Sequence, residues 1–186
     1  SALAADGNAG MAMVVTHISA ATASLVWMLM DWSRFGKPTL IGLVTGTIAG
    51  LASITPASGS VGPIGALIIG ASAGIICYLF VNIVKNNLKI DDSLDVFAVH
   101  GVGGLLGIIL VAFLVDANIG GAGYADGINA ISQLMIQLKG TFAVLALSVV
   151  ATIVITYVVK LTVGLRVDDS FEVEGLDISS HGETNG

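Results

Sequence analysis

Charged residues are absent from five long stretches of the chain, Gly7 to Met30, Thr39 to Val84, Val96 to Val115, Gly127 to Leu138 and Gly140 to Val159, and the polar positions gather between them. A hydrocarbon core about 30 Å thick is crossed by roughly 20 apolar residues at 1.5 Å each, so these stretches count helices. Five spans are predicted. The first covers about 10–30 and ends at the loop Asp31-Trp32-Ser33-Arg34-Phe35-Gly36-Lys37-Pro38, whose proline suits the first turn of the next helix. The second stretch is too long for one helix and is interrupted at Thr55-Pro56-Ala57-Ser58-Gly59-Ser60-Val61-Gly62-Pro63, giving helices over 39–54 and 64–84. After the polar loop Lys85 to Asp92, a fourth span covers 95–115. Past a Gly-rich loop from Asp116 to Gly127, a fifth covers 128–161, long enough to require tilt or protrusion.

This pattern divides the chain into a transmembrane region over 1–161 and a tail over 162–186. The tail carries Asp168, Asp169, Glu172, Glu174, Asp177 and Glu183 against Arg166. Segments such as Thr162-Val163-Gly164-Leu165-Arg166-Val167 and Gly175-Leu176-Asp177-Ile178 are too apolar for a purely solvating end, so the tail is expected to dock on the membrane domain or on a partner.

Composition agrees with a chain built for lipid: 55% of the 186 residues are hydrophobic and 11% charged, against about 25% charged in a soluble domain. Net charge −6 with no basic run excludes nucleic-acid binding through a basic surface. The lone Cys77, in an apolar setting, reads as packing and not as a nucleophile. Positive charge then orients the spans. Arg34, Lys37, Lys85, Lys89, Lys160 and Arg166 fall on one side of the predicted topology, with Asp6, Asp116 and Asp126 on the other. Lys and Arg accumulate on the cytoplasmic side, so Ser1 is expected outside and the C-terminus inside.

Small residues recur at four-residue spacing: Gly42, Gly46 and Gly50 on the second span, Gly70 and Gly74 on the third, Gly103 and Gly107 on the fourth. Such ladders let helices approach closely and predict a dense bundle. Three ionisable side chains fall within spans, where burial demands a polar partner or a cavity. His17 sits among Ser and Thr and reads as hydrogen-bonded structure; Lys139, near the external end of the fifth span, can snorkel. His100 is different, lying about one and a half turns into the fourth span above Asp91, Asp92 and Asp95. At α-helical spacing its face carries Val96, Gly103, Gly104 and Gly107, leaving room around a ring that can both donate and accept a hydrogen bond. Spacing alone fits both a pore ligand and a satisfied packing histidine.

The run Asp91-Asp92-Ser93-Leu94-Asp95-Val96-Phe97-Ala98-Val99-His100-Gly101-Val102-Gly103-Gly104 closely resembles the signature of the ammonium transporter family (Amt/Mep, related to Rh proteins). So do Gly46-Thr47-Ile48-Ala49-Gly50-Leu51-Ala52-Ser53-Ile54-Thr55-Pro56-Ala57, Gly65-Ala66-Leu67-Ile68-Ile69-Gly70, and the tail elements around Gly164, Gly175 and His181. The resemblance covers essentially the whole chain. It implies an all-α polytopic membrane protein whose five helices are the seventh to eleventh of an eleven-helix inverted-repeat fold, with an external N-terminus, a cytoplasmic tail and homotrimeric assembly in the plasma membrane. It implies His100 as the second of two pore histidines, Val96 and Val99 as pore wall, and Asp95 with Thr45 at the cytoplasmic vestibule. Ser1 would be the serine of the external recruitment site, although the Phe-Asn-X-Gly run that precedes it in the family is absent. The tail residues Gly164, Arg166, Gly175, Asp177, Ser179, His181 and Gly182 match a regulatory segment over which a PII-type signalling protein docks in many relatives.

With the first pore histidine, the gate phenylalanines and the recruitment tryptophan unmatched, the chain reads as the C-terminal half of a transporter. The implied activity is passage of ammonium or ammonia through a narrow apolar pore, with no cofactor and no metal. A membrane-embedded ammonium sensor or docking subunit presenting its tail to a PII-type protein is the alternative. No His/Glu metal pattern, Ser/His pair at motif spacing or paired carboxylate within a span points to an enzyme.

Overall fold

The structure, a computed structural model, describes residues 5–183, and every regular element among them is a helix. Helix α1 spans Gly7–Phe35, started by Asp6, whose Oδ1 accepts the backbone N–H groups of Asn8 (2.9 Å) and Ala9 (3.2 Å), and closed by Gly36 in the left-handed region at φ 72°. Its 29 residues extend about 44 Å, well beyond a hydrocarbon core. Helix α2, Leu40–Ile54, is started by Thr39, whose hydroxyl accepts the Gly42 N–H at 2.9 Å.

At 15 residues α2 is the exception among the expected spans. Among the described residues four helices are long and apolar enough to cross a bilayer, and α2, about 22 Å long, is shorter than a full crossing. The physical reason is Pro56: lacking an N–H, it cannot continue the ladder, so the helix stops although Thr55 before it still takes α geometry at φ −51° and ψ −47°. The break after α2 is itself packed. Ala57, Ser58 and Val61 are buried, and backbone bonds run from Ser60 N to Ala57 O (2.8 Å) and from Ala122 N to Ser60 O (2.9 Å). Irregular backbone at membrane depth is tolerated when its groups are satisfied in this way.

Helix α3 runs Pro63–Asn82 with proline in its first turn and continues as a π-helical segment, Ile83–Asn87. Helix α4 begins with a second π-helical segment, Phe97–Val102, and proceeds as α-helix over Gly103–Leu114. A short turn, Ala117–Ile119, and a loop tied back by Tyr124 Oη donating to Ala112 O (3.0 Å) lead to α5, Ala130–Thr162. Asn129 and Ser132 cap α5 reciprocally, the Ser132 N–H on Asn129 Oδ1 at 3.0 Å and the Asn129 N–H on Ser132 Oγ at 2.8 Å.

The chain divides into two compact units, Ser1–Thr141 and Phe142–Gly186. Within the second, the latter part of α5 is followed by α6, Asp169–Glu174, and α7, Leu176–His181, with left-handed glycines at Gly164 and Gly182. Arg166 grips Glu172 with Nε at 3.1 Å and one terminal nitrogen at 2.9 Å from each carboxylate oxygen.

In the first unit α1 packs between α2 and α3, and the glycine ladders are the reason. A Cβ on Gly50 would lie 2.5 Å from the Ser19 carbonyl oxygen, and one on Gly70 would lie 2.6 Å from the same atom. Gly46 faces Trp27 and Ala23, and Gly74 faces Val26 and Ala23. Ser19 completes the contact by donating its hydroxyl to Gly50 O at 2.9 Å. Two apolar clusters fill the unit: Val15, Ile54, Val61, Ile69 and Val111 towards one end, and Trp27, Ala49, Cys77, Tyr78 and Val99 towards the other.

Replacing Gly70 by Val in the native protein is therefore expected to lower its unfolding free energy in mixed micelles by about 2–3 kcal/mol or more, because backbone and not a movable side chain stands in the way. Gly140→Ala, where a Cβ meets nothing within 4 Å, is expected to be neutral or to stabilise by up to about 1 kcal/mol. Equal effects of the two substitutions would refute the ladder account.

Candidate functional site

The N-terminal end of α4 is set by two aspartates. Asp92 accepts the N–H groups of Val96 and Phe97, each at 2.9 Å, one on either carboxylate oxygen, satisfying donors that an opening helical turn leaves free. Asp95 takes a left-handed backbone conformation at φ 57° and donates its N–H to Asp92 O at 3.1 Å. Its Oδ1 lies 2.8 Å from Lys85 Nζ, a close charge contact that lacks the alignment of a hydrogen bond. The same lysine reaches Ser93 O at 3.4 Å, so the π-helical end of α3 and the start of α4 are tied by one side chain.

Val96, just before the π-helical segment, and His100 within it both face outward: Val96 is 51% exposed and His100 is exposed, with no hydrogen bond to its ring among the described residues. Val99, expected beside them, points the other way. It is 2% exposed and packs in the interior cluster with Trp27, Cys77 and Tyr78, because adjacent residues of a helix face different directions. The glycine stripe expected around the ring also divides. Gly103 abuts Ser53 and Cys77, and Gly107 abuts Ser53 and Pro56, so both serve the contact with α2; Gly104 alone has open space beside it. The π-helical turn widens the helix locally and displaces the expected α register.

A recess of about 230 Å³ opens at the same end of the bundle. Thr45 and Asp95 both border it, as do Asp31, Thr39, Tyr78 and Asn82. Asp31 was legible only as the first residue of a loop, yet it is the last buried residue of α1, 4% exposed, and accepts the Thr39 hydroxyl at 2.6 Å. The pairing of an acid at the end of one apolar span with the Thr cap of the next was the signal available for it. Tyr78, 6% exposed, stands edge-on to Trp27 with ring centroids 5.2 Å apart.

The remaining ionisable candidates separate from this end. His17 is exposed on α1, and its Nδ1 lies 3.0 Å from Met13 O; the carbonyl can only accept, so Nδ1 carries the proton. Lys139 is exposed on α5, and Cys77 is buried in the core. Ser1 lies outside the described residues. The tail residues belong to the second unit, where Ser179 Oγ donates to Gly175 O at 3.0 Å and Gly175 has φ 101°.

A sequence profile of the Ammonium Transporter Family matches residues 1–186. The chain belongs to the ammonium transporter family. An ammonium transporter of Aquifex aeolicus is 45% identical over 184 residues, which are 98% of this chain and 43% of that relative. The ammonium transporter Amt1 of Archaeoglobus fulgidus is likewise 45% identical, over 98% of this chain and 46% of its own length. The chain thus spans less than half the length of these curated relatives. Among solved structures, the one described as a sensor Amt protein superposes with a TM-score of 0.83 at 28% identity, covering 94% of this chain and 42% of that one. Mep2 of Saccharomyces cerevisiae superposes with a TM-score of 0.74 at 36% identity, covering 86% of this chain and 39% of that one. As a member of this family the chain is an all-helical part of a multi-pass membrane transporter fold, and its relatives are transporters, not enzymes.

Asp92→Ala in the native transporter is expected to cost about 1–2 kcal/mol by removing both caps from α4, read as a lowered unfolding midpoint. Asp91→Ala, at an exposed neighbour, is expected to stay within about 0.5 kcal/mol.

Proposed function

We propose that the chain forms one side of a pore through which ammonium nitrogen crosses the plasma membrane as ammonia, with His100 lining the passage. The observation that carries this reading is an exposed imidazole on a π-helical turn of an otherwise apolar membrane helix, in a chain whose relatives are ammonium transporters. A polar ring facing outward from such a helix needs a polar neighbour or a cavity, since lipid gives it no hydrogen bonds. A narrow apolar passage penalises a bare charge, so the neutral species is favoured. The imidazole supplies one donor and one acceptor to replace the water that the substrate loses. Val96, exposed on the same turn, provides apolar wall. Asp95 and Thr45 border the vestibule at the end that positive charge assigns to the cytoplasm.

Replacement of His100 by Ala tests this directly. In reconstituted native protein at matched content, ammonium flux or its discrimination against potassium is expected to change at least about tenfold while folding is retained. Unchanged flux and selectivity in folded protein would refute a pore role.

A second reading has its own support, because the sensor Amt protein superposes well on this chain. In that reading the tail matters most: Gly164, Arg166, Gly175, Asp177, Ser179, His181 and Gly182 form the segment presented to a PII-type protein at the cytoplasmic face of a homotrimer. The grip of Arg166 on Glu172 and the left-handed glycines give the segment a defined local shape. Deleting Gly164 to Gly182 from the native protein is expected to weaken PII association at least about tenfold in a pull-down and to leave membrane insertion intact. Equal capture by the deleted and intact proteins would count against docking.

A further inference from the structure

The loop between the two π-helical segments is bounded by backbone that side chains rarely adopt. Lys89 at φ 54° and Asp95 at φ 57° are the only non-glycine residues in the left-handed region among the described residues. Such a conformation persists only where the surroundings over-determine it. Around Lys89 the backbone does this: the Leu88 N–H donates to Ile83 O at 2.9 Å and the Ile90 N–H to Val84 O at 3.1 Å, sealing the first segment. Around Asp95 the hold comes from a side chain on that sealed segment. Lys85 reaches across the loop and places Nζ 2.8 Å from Asp95 Oδ1 and 3.4 Å from Ser93 O. Asp95 Oδ1 is buried and receives no hydrogen bond among the described residues, so the Lys85 charge is what offsets its withdrawal from water. With side-chain exposures of 36% for Lys85 and 16% for Asp95, the pair is less screened than one at the open surface.

The conformation of Asp95 bears on His100. The Asp95 carbonyl accepts the Val99 N–H at 2.8 Å, the bond that opens the turn. Val99 is 2% exposed against the core and His100, one residue on, is exposed, so an error at the start of the turn is felt at the ring. Little else steadies the outward side. The His100 ring has no hydrogen bond among the described residues. The atoms nearest a Cβ on Gly101 belong to the Phe97 ring of the same turn, and a Cβ on Gly104 would meet nothing within 4 Å.

We propose that Lys85 is a positioning residue for transport: through Asp95 it locks the opening turn of α4 and gives the His100 imidazole a single heading. Without the Lys85 charge, Asp95 is free to leave the left-handed region, the turn frays, and the ring is no longer held to one orientation. The consequence for transport rests on the pore reading of His100 above, whereas the lock itself does not.

The test reads the ring directly, by magnetic resonance of the native protein carrying isotope-labelled histidine. The His100 and His17 signals are assigned by their loss in His100→Ala and His17→Ala. Lys85→Met is expected to split or broaden the His100 signal and to leave that of His17 as it was. Lys85→Arg, which keeps the charge, is expected to restore it. In an Asp95→Asn background, where no carboxylate remains to be held, Lys85→Met is expected to add nothing. If Lys85→Met fails to fold, Lys85→Gln, which keeps a polar end without the charge, is read in the same way. An unchanged His100 signal in folded protein, equal broadening of both histidines, or a full effect in the Asp95→Asn background would each overturn the proposal. Ammonium flux at matched content is expected to fall at least about fivefold in Lys85→Met and to return to within about twofold of native in Lys85→Arg, since a misplaced group lowers rates steeply. A disordered ring with undiminished flux would refute the pore role of His100 and leave the lock standing.

Discussion

The Ser19 carbonyl, closed in by Gly50 on one side and Gly70 on the other, is the contact from which the remaining helix positions follow. In lipid, helices gain nothing by hiding apolar surface from apolar surroundings, so association depends on close packing and on hydrogen bonds between helices. Small residues make both available here. With α1 held between α2 and α3, the residues above and below Ser19 have their neighbours dictated: Trp27 meets Gly46, Val26 meets Gly74, and Asp31 arrives beside the cap of α2. Helix α4 is set in the same manner, with Gly103 against Ser53 and Cys77.

This packing has a chemical result at one end of the bundle. Four helix ends meet there, and the side chains that close them are polar: Thr39 on α2, Asn82 near the end of α3, Asp92 and Asp95 before α4, Asp31 near the end of α1. Terminal backbone groups need partners, so polar residues collect at helix ends. Some of them, once placed, do more than cap. Asp92 completes a helix turn, whereas Asp31 ties the end of α1 to the cap of α2 through the Thr39 hydroxyl.

Much of this was readable along the chain. The charge-free stretches located every long helix to within a few residues at most ends, and the four-residue glycine spacing pointed to the close contacts made by Gly50, Gly70 and Gly107. What pattern could not reach was direction. Placing Val96, Val99 and His100 on one motif says nothing about which of them faces inward, and the π-helical turn removes the 3.6-residue period on which a face assignment relies. The reach of α2 was hidden for a related reason: an uncharged loop and an uncharged helix are alike in charge, and only Pro56 separates them. Asp31 escaped notice because a carboxylate beside Trp32, Ser33 and Arg34 looks like loop chemistry until helix α1 is seen to run on to Phe35.

The two π-helical segments flank the polar loop between α3 and α4, Ile83–Asn87 on entry and Phe97–Val102 on exit. A π turn holds about one residue more than an α turn, and one residue of α-helix corresponds to about 100° of rotation. The heading of His100 relative to the glycine contacts of α4 is therefore a matter of residue count as well as residue type. Losing one residue from the second segment would convert it to α geometry and swing the imidazole away from its present face, with every side chain still present. In this stretch of chain, length is part of the chemistry, and an insertion or deletion can do what no single exchange of side chains does.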